Sequence, residues 1–288
     1  MALGKSIRIF LDEGDVTGIR YAEIVNWTGQ AILFPRNRLA GLMSWTAELG
    51  RPGVYFLVGA ETLATREVYI GESESVADRL QQHISKEFWQ EAIVFTSKDE
   101  NLTKSHIRYL ESRLLELART AKRYEVKNGN QPTPAGLPRP DRDAMEEFLG
   151  HLRLLLGALG HRLLEPLIET AALAANSGSD AATLTYTIKS AVARARITDE
   201  GIVVLQGSTA LSQVNVSMGA YQALREALLE ARQLVPEGDL LRFKENVLFS
   251  SASAAANVIS GNAVNGRTAW RDAKGRTLKE IEEAKSTV

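Results

Sequence analysis

The chain has no cysteine in 288 residues. Disulfides, thiol nucleophiles and Cys-type zinc sites are therefore excluded. That composition suits a reducing compartment, and a cytoplasmic location is expected. No apolar run approaches the roughly 20 residues that span a bilayer. The richest stretch, residues 152–168, is interrupted by Arg153, His161, Arg162, Glu165 and Pro166. Residues 1–10 lack the apolar segment of a secretory signal, so no membrane partner is expected. A surplus of charge is missing as well: 34 Lys and Arg stand against 35 Asp and Glu, for a net charge of −1. Such a balance does not advertise a nucleic-acid binder, so any such binding must rest on a local basic surface. Repeats, low-complexity tracts and the spacing of a zinc finger or helix-turn-helix are also absent.

Length and patterning point to more than one domain of mixed α+β class. Residues 6–10 alternate as a half-buried strand does, and residues 18–25 and 30–34 read as two further strands before a short helix at 39–49. Residues 1–50 are thus expected to form a small β-rich extension with nothing catalytic in it. Residues 54–58 and 67–70 read as the two strands of a hairpin, followed by a helix capped at Ser75 with Asp78 three residues on. Residues 92–96 read as a third strand. A longer helix runs from a cap at Asn101 or Thr103 to about Val126. Residues 128–140 hold four of the chain's eight prolines. With a helical segment from Asp143 onward they are expected to form a linker and connector over 132–176. Ser177-Gly178-Ser179 marks the next boundary. Residues 177–288 are expected to form a second α+β domain, with a hairpin of strands at 183–190 and 201–206 and helices at 218–234 and 250–260.

Chemically useful side chains concentrate between Gly53 and Glu111. Tyr55 and Tyr69 fall on adjacent strands. Arg79 and His83, four apart, lie side by side on one helix. Glu111 shares a helical face with Ile107 and Leu114, so its carboxylate is aimed at apolar surroundings. An unpaired carboxylate there costs several kcal/mol, roughly, and calls for a cation, a metal or a water-filled cleft. The outer face of that helix is basic: Lys104, Arg108, Arg113, Arg119, Lys122, Arg123 and Lys127 stand against Glu111, Glu116 and Glu125. Singly, each of these has a bland explanation in core packing or solvation.

As an ordered set they resemble the GIY-YIG nuclease family. The first motif is Gly53-Val54-Tyr55, the second Tyr69-Ile70-Gly71, the third Arg79 with His83, and the fourth Glu111. The resemblance covers about residues 51–130, and a domain is drawn at 51–131. It implies a small three-stranded sheet flanked by helices that cuts DNA phosphodiesters with one divalent cation, Mg2+ or Mn2+. By that resemblance Glu111 would hold the cation and Arg79 would bind the scissile phosphate. Tyr55 would orient or deprotonate the attacking water, with Tyr69 and His83 assisting. Gly71, Lys104, Arg108 and Asn130 would meet the substrate, Asn130 being preferred to Asn128. The chemistry suits these types, since a metal and an arginine stabilise charge building on phosphate oxygens. Tyrosine, with a reference pKa of about 10, is a poor base at neutral pH unless a cation lowers it. Arg79 and His83 stand where they could do so. The C-terminal stretch Leu248-Phe249-Ser250-Ser251-Ala252-Ser253-Ala254-Ala255-Ala256, with Gly261, Asn265-Gly266 and Trp270, resembles an uncharacterised domain often fused to these nucleases. Targeting or substrate recognition and simple tight packing are both compatible with it. A non-catalytic binding module that keeps the nuclease fold is the alternative to a nuclease, and homo-oligomerisation stays open.

Overall fold

The computed structural model describes residues 3–129, 132, 136–168, 183–215 and 218–286. The chain divides into two units, Met1–Pro166 and Leu167–Val288. Both mix helices with antiparallel sheet, so the α+β expectation holds.

The first unit is built on strands β1 (Ile7–Leu11), β2 (Arg20–Ile24), β3 (Gly29–Pro35), β4 (Gly53–Glu61), β5 (Arg66–Ser73), β6 (Trp89–Ser97) and β7 (Glu125–Val126). They form one seven-stranded sheet in the order β1-β2-β3-β6-β4-β5-β7. The expected three-stranded element is its centre, β6-β4-β5. Residues 1–50 do not form a separate extension: β3 pairs antiparallel with β6 from Gly29↔Ser97 to Pro35↔Glu91 and continues the same sheet. Strand β6 shows why. Its residues 92–97 are all buried and β4 covers only one of its edges, so β3 is needed as a partner on the other.

Period-two alternation sorts these side chains into two cores. Val54, Phe56, Val58, Val68, Ile70, Ile93 and Phe95 face α3 (Lys104–Ala121) and α4 (Arg139–Ala158). Tyr55, Leu57, Ala92 and Val94 face the opposite side, with Leu49 of α1 (Thr46–Leu49) and Val76 and Leu80 of α2 (Val76–Gln82). Helix α3 begins at a capping box. The Thr103 hydroxyl accepts from the His106 amide, and the His106 ring accepts from the Thr103 amide. It stops at Lys122, which takes a left-handed conformation with φ 51°. Ser75 does precede α2, but its hydroxyl makes no cap bond; the Ser73 hydroxyl accepts from the Ser75 amide instead.

Helix α4 is not a free connector. Its Met145, Phe148, Leu149, Leu152, Leu155 and Leu156 are buried in the first core, and Trp27 packs on Phe148 at 4.9 Å between ring centroids. It begins at Arg139, inside the stretch expected to be linker, because Pro140 in the first turn lacks only an amide that has no helical acceptor anyway. The boundary expected at Ser177–Ser179 lies outside the described residues.

The second unit holds a four-stranded sheet in the order β14 (Val247–Phe249), β10 (Gly201–Val204), β9 (Ala191–Thr198), β8 (Leu184–Ile188), and a three-stranded sheet, β11 (Thr209–Leu211), β13 (Leu240–Phe243), β12 (Leu234–Glu237). Its helices are α5 (Tyr221–Glu230), α6 (Ala252–Ser260), α7 (Gly266–Ala269) and α8 (Leu278–Ser286). The first hairpin joins β8 to β9, not to residues 201–206 as expected. Lys189, at φ 49°, supplies the tight reversal. The alternation in Ala191-Val192-Ala193-Arg194-Ala195 is the signal that marks β9, its alanines buried and the residues between them exposed.

Candidate active site

Four of the five candidate catalytic residues meet on the α2 side of the sheet. Tyr55 is fully buried on β4, and its hydroxyl lies 2.9 Å from Nε2 of His83, the C-cap residue of α2. Arg79, one turn earlier, donates from Nε to the Tyr55 oxygen at 3.3 Å and from Nη1 to Gln82 at 2.6 Å. The Tyr69 ring completes the group, 6.3 Å from the Tyr55 ring and 5.2 Å from the His83 ring. Lys86 places its ammonium 4.5 Å over the Tyr69 face.

The glycine of the second motif is explained by contact distance. Tyr55 pairs with Gly71 across β4 and β5, and a Cβ at Gly71 would sit 2.4 Å from the Tyr55 hydroxyl oxygen. The ring therefore lies over bare backbone. At Gly53 an added Cβ would stand 2.3 Å from the Phe95 carbonyl oxygen, inside the β4–β6 pairing. Gly71 thus serves the site by making room for Tyr55.

Electrostatics correct one expectation. Burial raises the Tyr55 pKa above the usual tyrosine range, Tyr69 adds to the rise, and Arg79 opposes it. His83 is pulled down to about 4, first by burial and then by Lys86 and Arg79. At neutral pH it is an uncharged imidazole, so it does not help to ionise Tyr55 as a cation would. It offers a base: with its proton on Nδ1, Nε2 accepts the Tyr55 hydrogen. Nδ1 itself is buried and has no partner among the described residues.

Glu111 stands apart from this cluster. It lies on α3, across the sheet, partly buried as its helical phase suggested. No hydrogen bond or ion pair reaches its carboxylate among the described residues. Burial, then the neighbouring Glu72 carboxylate, raise its pKa to about 7, while Arg108 and Arg79 pull the other way. Glu72 follows Gly71 and shares the strand face of Ile70 and Val68, the α3 face. Glu111 and the tyrosine cluster thus share no direct contact, and Arg79 bears on both electrostatically. Glu72 escaped the sequence analysis, although strand alternation alone puts it on the side of Glu111.

The basic helix is mostly neutralised. Lys104 pairs with Glu74 at 2.7 Å, Arg113 with Glu146 at 2.7 Å and Lys127 with Glu67 at 2.9 Å. Arg119 donates to the Asn128 carbonyl at 3.1 Å, and Arg123 to the Glu165 carbonyl at 2.5 Å. Arg108 is exposed, makes no ion pair among the described residues, and bears on Glu111. The Asn128 side chain is also committed: it accepts from the Ile70 amide at 3.0 Å and donates to the Ile70 carbonyl at 2.7 Å, extending the β5 edge. Asn130 lies outside the described residues.

No group of three or more His, Asp or Glu side chains among the described residues is arranged to hold a metal ion. The unpaired Glu111 carboxylate nevertheless fits a hard divalent cation that keeps much of its water, as Mg2+ does.

In the second unit the small-residue motif is spent on packing. The Ser251 hydroxyl caps α6 by accepting from the Ala254 amide at 3.1 Å. Asn257 donates to the Ser253 carbonyl at 2.6 Å and accepts from the Val264 amide at 2.7 Å. Trp270, fully buried, donates from its indole to the Ala252 carbonyl at 3.1 Å. A Cβ at Gly266 would fall 2.1 Å from the Ala252 carbonyl carbon.

Residues 184–282 match a family described as Domain of unknown function (DUF4357). The match covers about a third of the chain and does not reach residues 51–130. No curated protein and no solved structure matches. No helix among the described residues is long and apolar enough to cross a membrane.

Proposed function

We propose that the first unit is a metal-dependent endonuclease that hydrolyses DNA phosphodiesters through a GIY-YIG-type site. The carrying observation is the connected cluster of Tyr55, His83, Arg79 and Tyr69, whose Arg79 also bears electrostatically on a partly buried glutamate with no ion pair among the described residues. Glu111 would hold the cation, Mg2+ or Mn2+, with Glu72 adding negative charge nearby. When bound, the cation supplies neutralisation of charge on the scissile phosphate. Arg79 would meet the same phosphate with Nη2, the guanidinium nitrogen that bonds neither Tyr55 nor Gln82. Its two other donors keep the guanidinium in place through Tyr55 and Gln82. Tyr55 would orient the attacking water and take its proton while passing its own to Nε2 of His83. The second of these shifts would run along the 2.9 Å contact between Tyr55 and His83.

One observation favours the second reading, a binding module without turnover: Tyr55 exposes none of its surface. Incubation of the protein with labelled duplex, flap, junction and single-stranded DNA, and with RNA, with and without Mg2+ or Mn2+, separates the two. Cleavage that needs the metal and is lost in Glu111→Ala supports the nuclease. Binding without cleavage on every substrate supports the module.

A further inference from the structure

Residues 83–89, between α2 and β6, carry two groups of the site: His83 at the start and Lys86 in the middle. Residues 84–87 are exposed, and of the segment's backbone amides only that of Lys86 bonds back within it, to the His83 carbonyl at 3.1 Å. Such a segment opens at little cost unless something outside holds it. The holder is Arg36, at the end of β3 in the stretch read as chemically inert. Its Nη2 donates to the Ile84 carbonyl at 2.6 Å, and its Nη1 donates to the Lys86 carbonyl and, at 3.4 Å, to the Trp89 carbonyl. The guanidinium carbon also lies 4.9 Å from the centre of the Trp89 ring. The Trp89 indole in turn donates to the His83 carbonyl at 3.1 Å. Arg36 has no carboxylate partner among the described residues, and both of its Nη nitrogens are spent on this one segment.

We propose that Arg36 is a positioning residue for the Tyr55–His83 pair and for Lys86: by collecting three carbonyls of the segment it fixes where both side chains stand. Its effect on turnover rests on the nuclease reading, whereas the placement of the His83 ring is read without any turnover. A planar guanidinium can reach three carbonyls and stack on an indole at once, which an ammonium cannot. The groups around the His83 ring are Tyr55 from β4, Tyr69 from β5, Arg79 from α2 and Lys86 from the segment itself.

The test follows the His83 imidazole by NMR titration in the full chain, Arg36→Ala and Arg36→Lys, beside thermal melts and cleavage kinetics. In the parent chain His83 should stay neutral down to about pH 4. Freed from Arg36, the ring should meet water and titrate at least one unit higher, toward 6.5, in both variants. The kcat should fall about tenfold or more in Arg36→Ala with KM changed less than about threefold, because misplacing a group costs rate more than binding. Folded variants whose His83 titrates as in the parent would overturn the inference. Should Arg36→Ala unfold, Arg36→Lys decides by the same criterion. A shifted titration in a protein that cleaves nothing upholds the positioning role and removes the nuclease reading.

Discussion

The two units treat the polar residues of their motifs in opposite ways. In the second unit Ser251, Ser253, Asn257 and the Trp270 indole each satisfy a backbone group next to them, and the small residues let chain segments touch. In the first unit the motif residues leave demands unmet. Among the described residues Glu111 has no hydrogen bond or ion pair and Nδ1 of His83 is buried without a partner, while Tyr55 is held in a state that burial makes harder to ionise. Buried polar groups are usually satisfied, so unmet ones cost stability and single out a candidate functional site. The resemblances in the two halves thus rest on different physics, packing in one and incomplete chemistry in the other.

The largest test of this contrast is where the first unit ends. A fragment ending at Pro140 loses α4 and with it six buried side chains, and it should show no cooperative melt by circular dichroism. A fragment ending at Pro166 should fold and keep metal-dependent nicking. Folding of the shorter fragment would return α4 to the status of a connector.

Next comes Glu111→Ala, which should lower cleavage by about a thousandfold or more while the protein stays folded. Glu111→Gln sharpens it through pH. The folded pKa of about 7 lies above the ordinary 4.5, so protonation favours the folded state. That favour is full below 4.5 and is lost as pH rises through 7. The Gln variant should therefore melt higher than the parent at pH 8, by on the order of 2 kcal/mol, and show no gain at pH 4. An equal gain at both pH values would mean that Glu111 is not the titrating group.

Gly266→Ala should unfold the second unit alone. The added Cβ meets backbone, which cannot swing aside, and overpacking of this kind costs about 1–3 kcal/mol or more. Calorimetry should show one early transition and one at its parental temperature. Cleavage per bound substrate should persist, and its loss would give the second unit a part in the chemistry.

Tyr55→Phe removes the hydroxyl between His83 and Arg79 and leaves Nε2 without a partner. A cost of about 1–3 kcal/mol in stability and a fall of about a hundredfold in kcat are expected. A stability loss with full turnover would make the pair structural, like the hydrogen bonds of Asn257. The smallest effect should come from Arg108→Ala: DNA binding a few-fold weaker, with a salt slope lower by about 1. Lys104→Ala, already paired with Glu74, should do less.

Chain order and period settled much of this protein. Alternation placed Tyr55 and Tyr69 on paired strands, helical phase turned Glu111 inward, and an i, i+4 spacing set Arg79 beside His83. Those are local rules, and a sequence carries them in full. What depends on chain segments far apart was not legible. The register of β3 on β6 makes residues 1–50 part of the sheet and brings Arg36 to the 83–89 segment. The burial of α4 turned an expected connector into core, since Leu152 and Leu155 fit a connector helix equally well until another surface covers them. The basic face of α3 was largely cancelled by Glu74, Glu146 and Glu67, three acids that sit elsewhere in the chain. Proton affinities belong to the same class. Desolvation is set by everything packed around a group, so only the tertiary structure could make His83 a neutral base and hold Glu111 near pH 7.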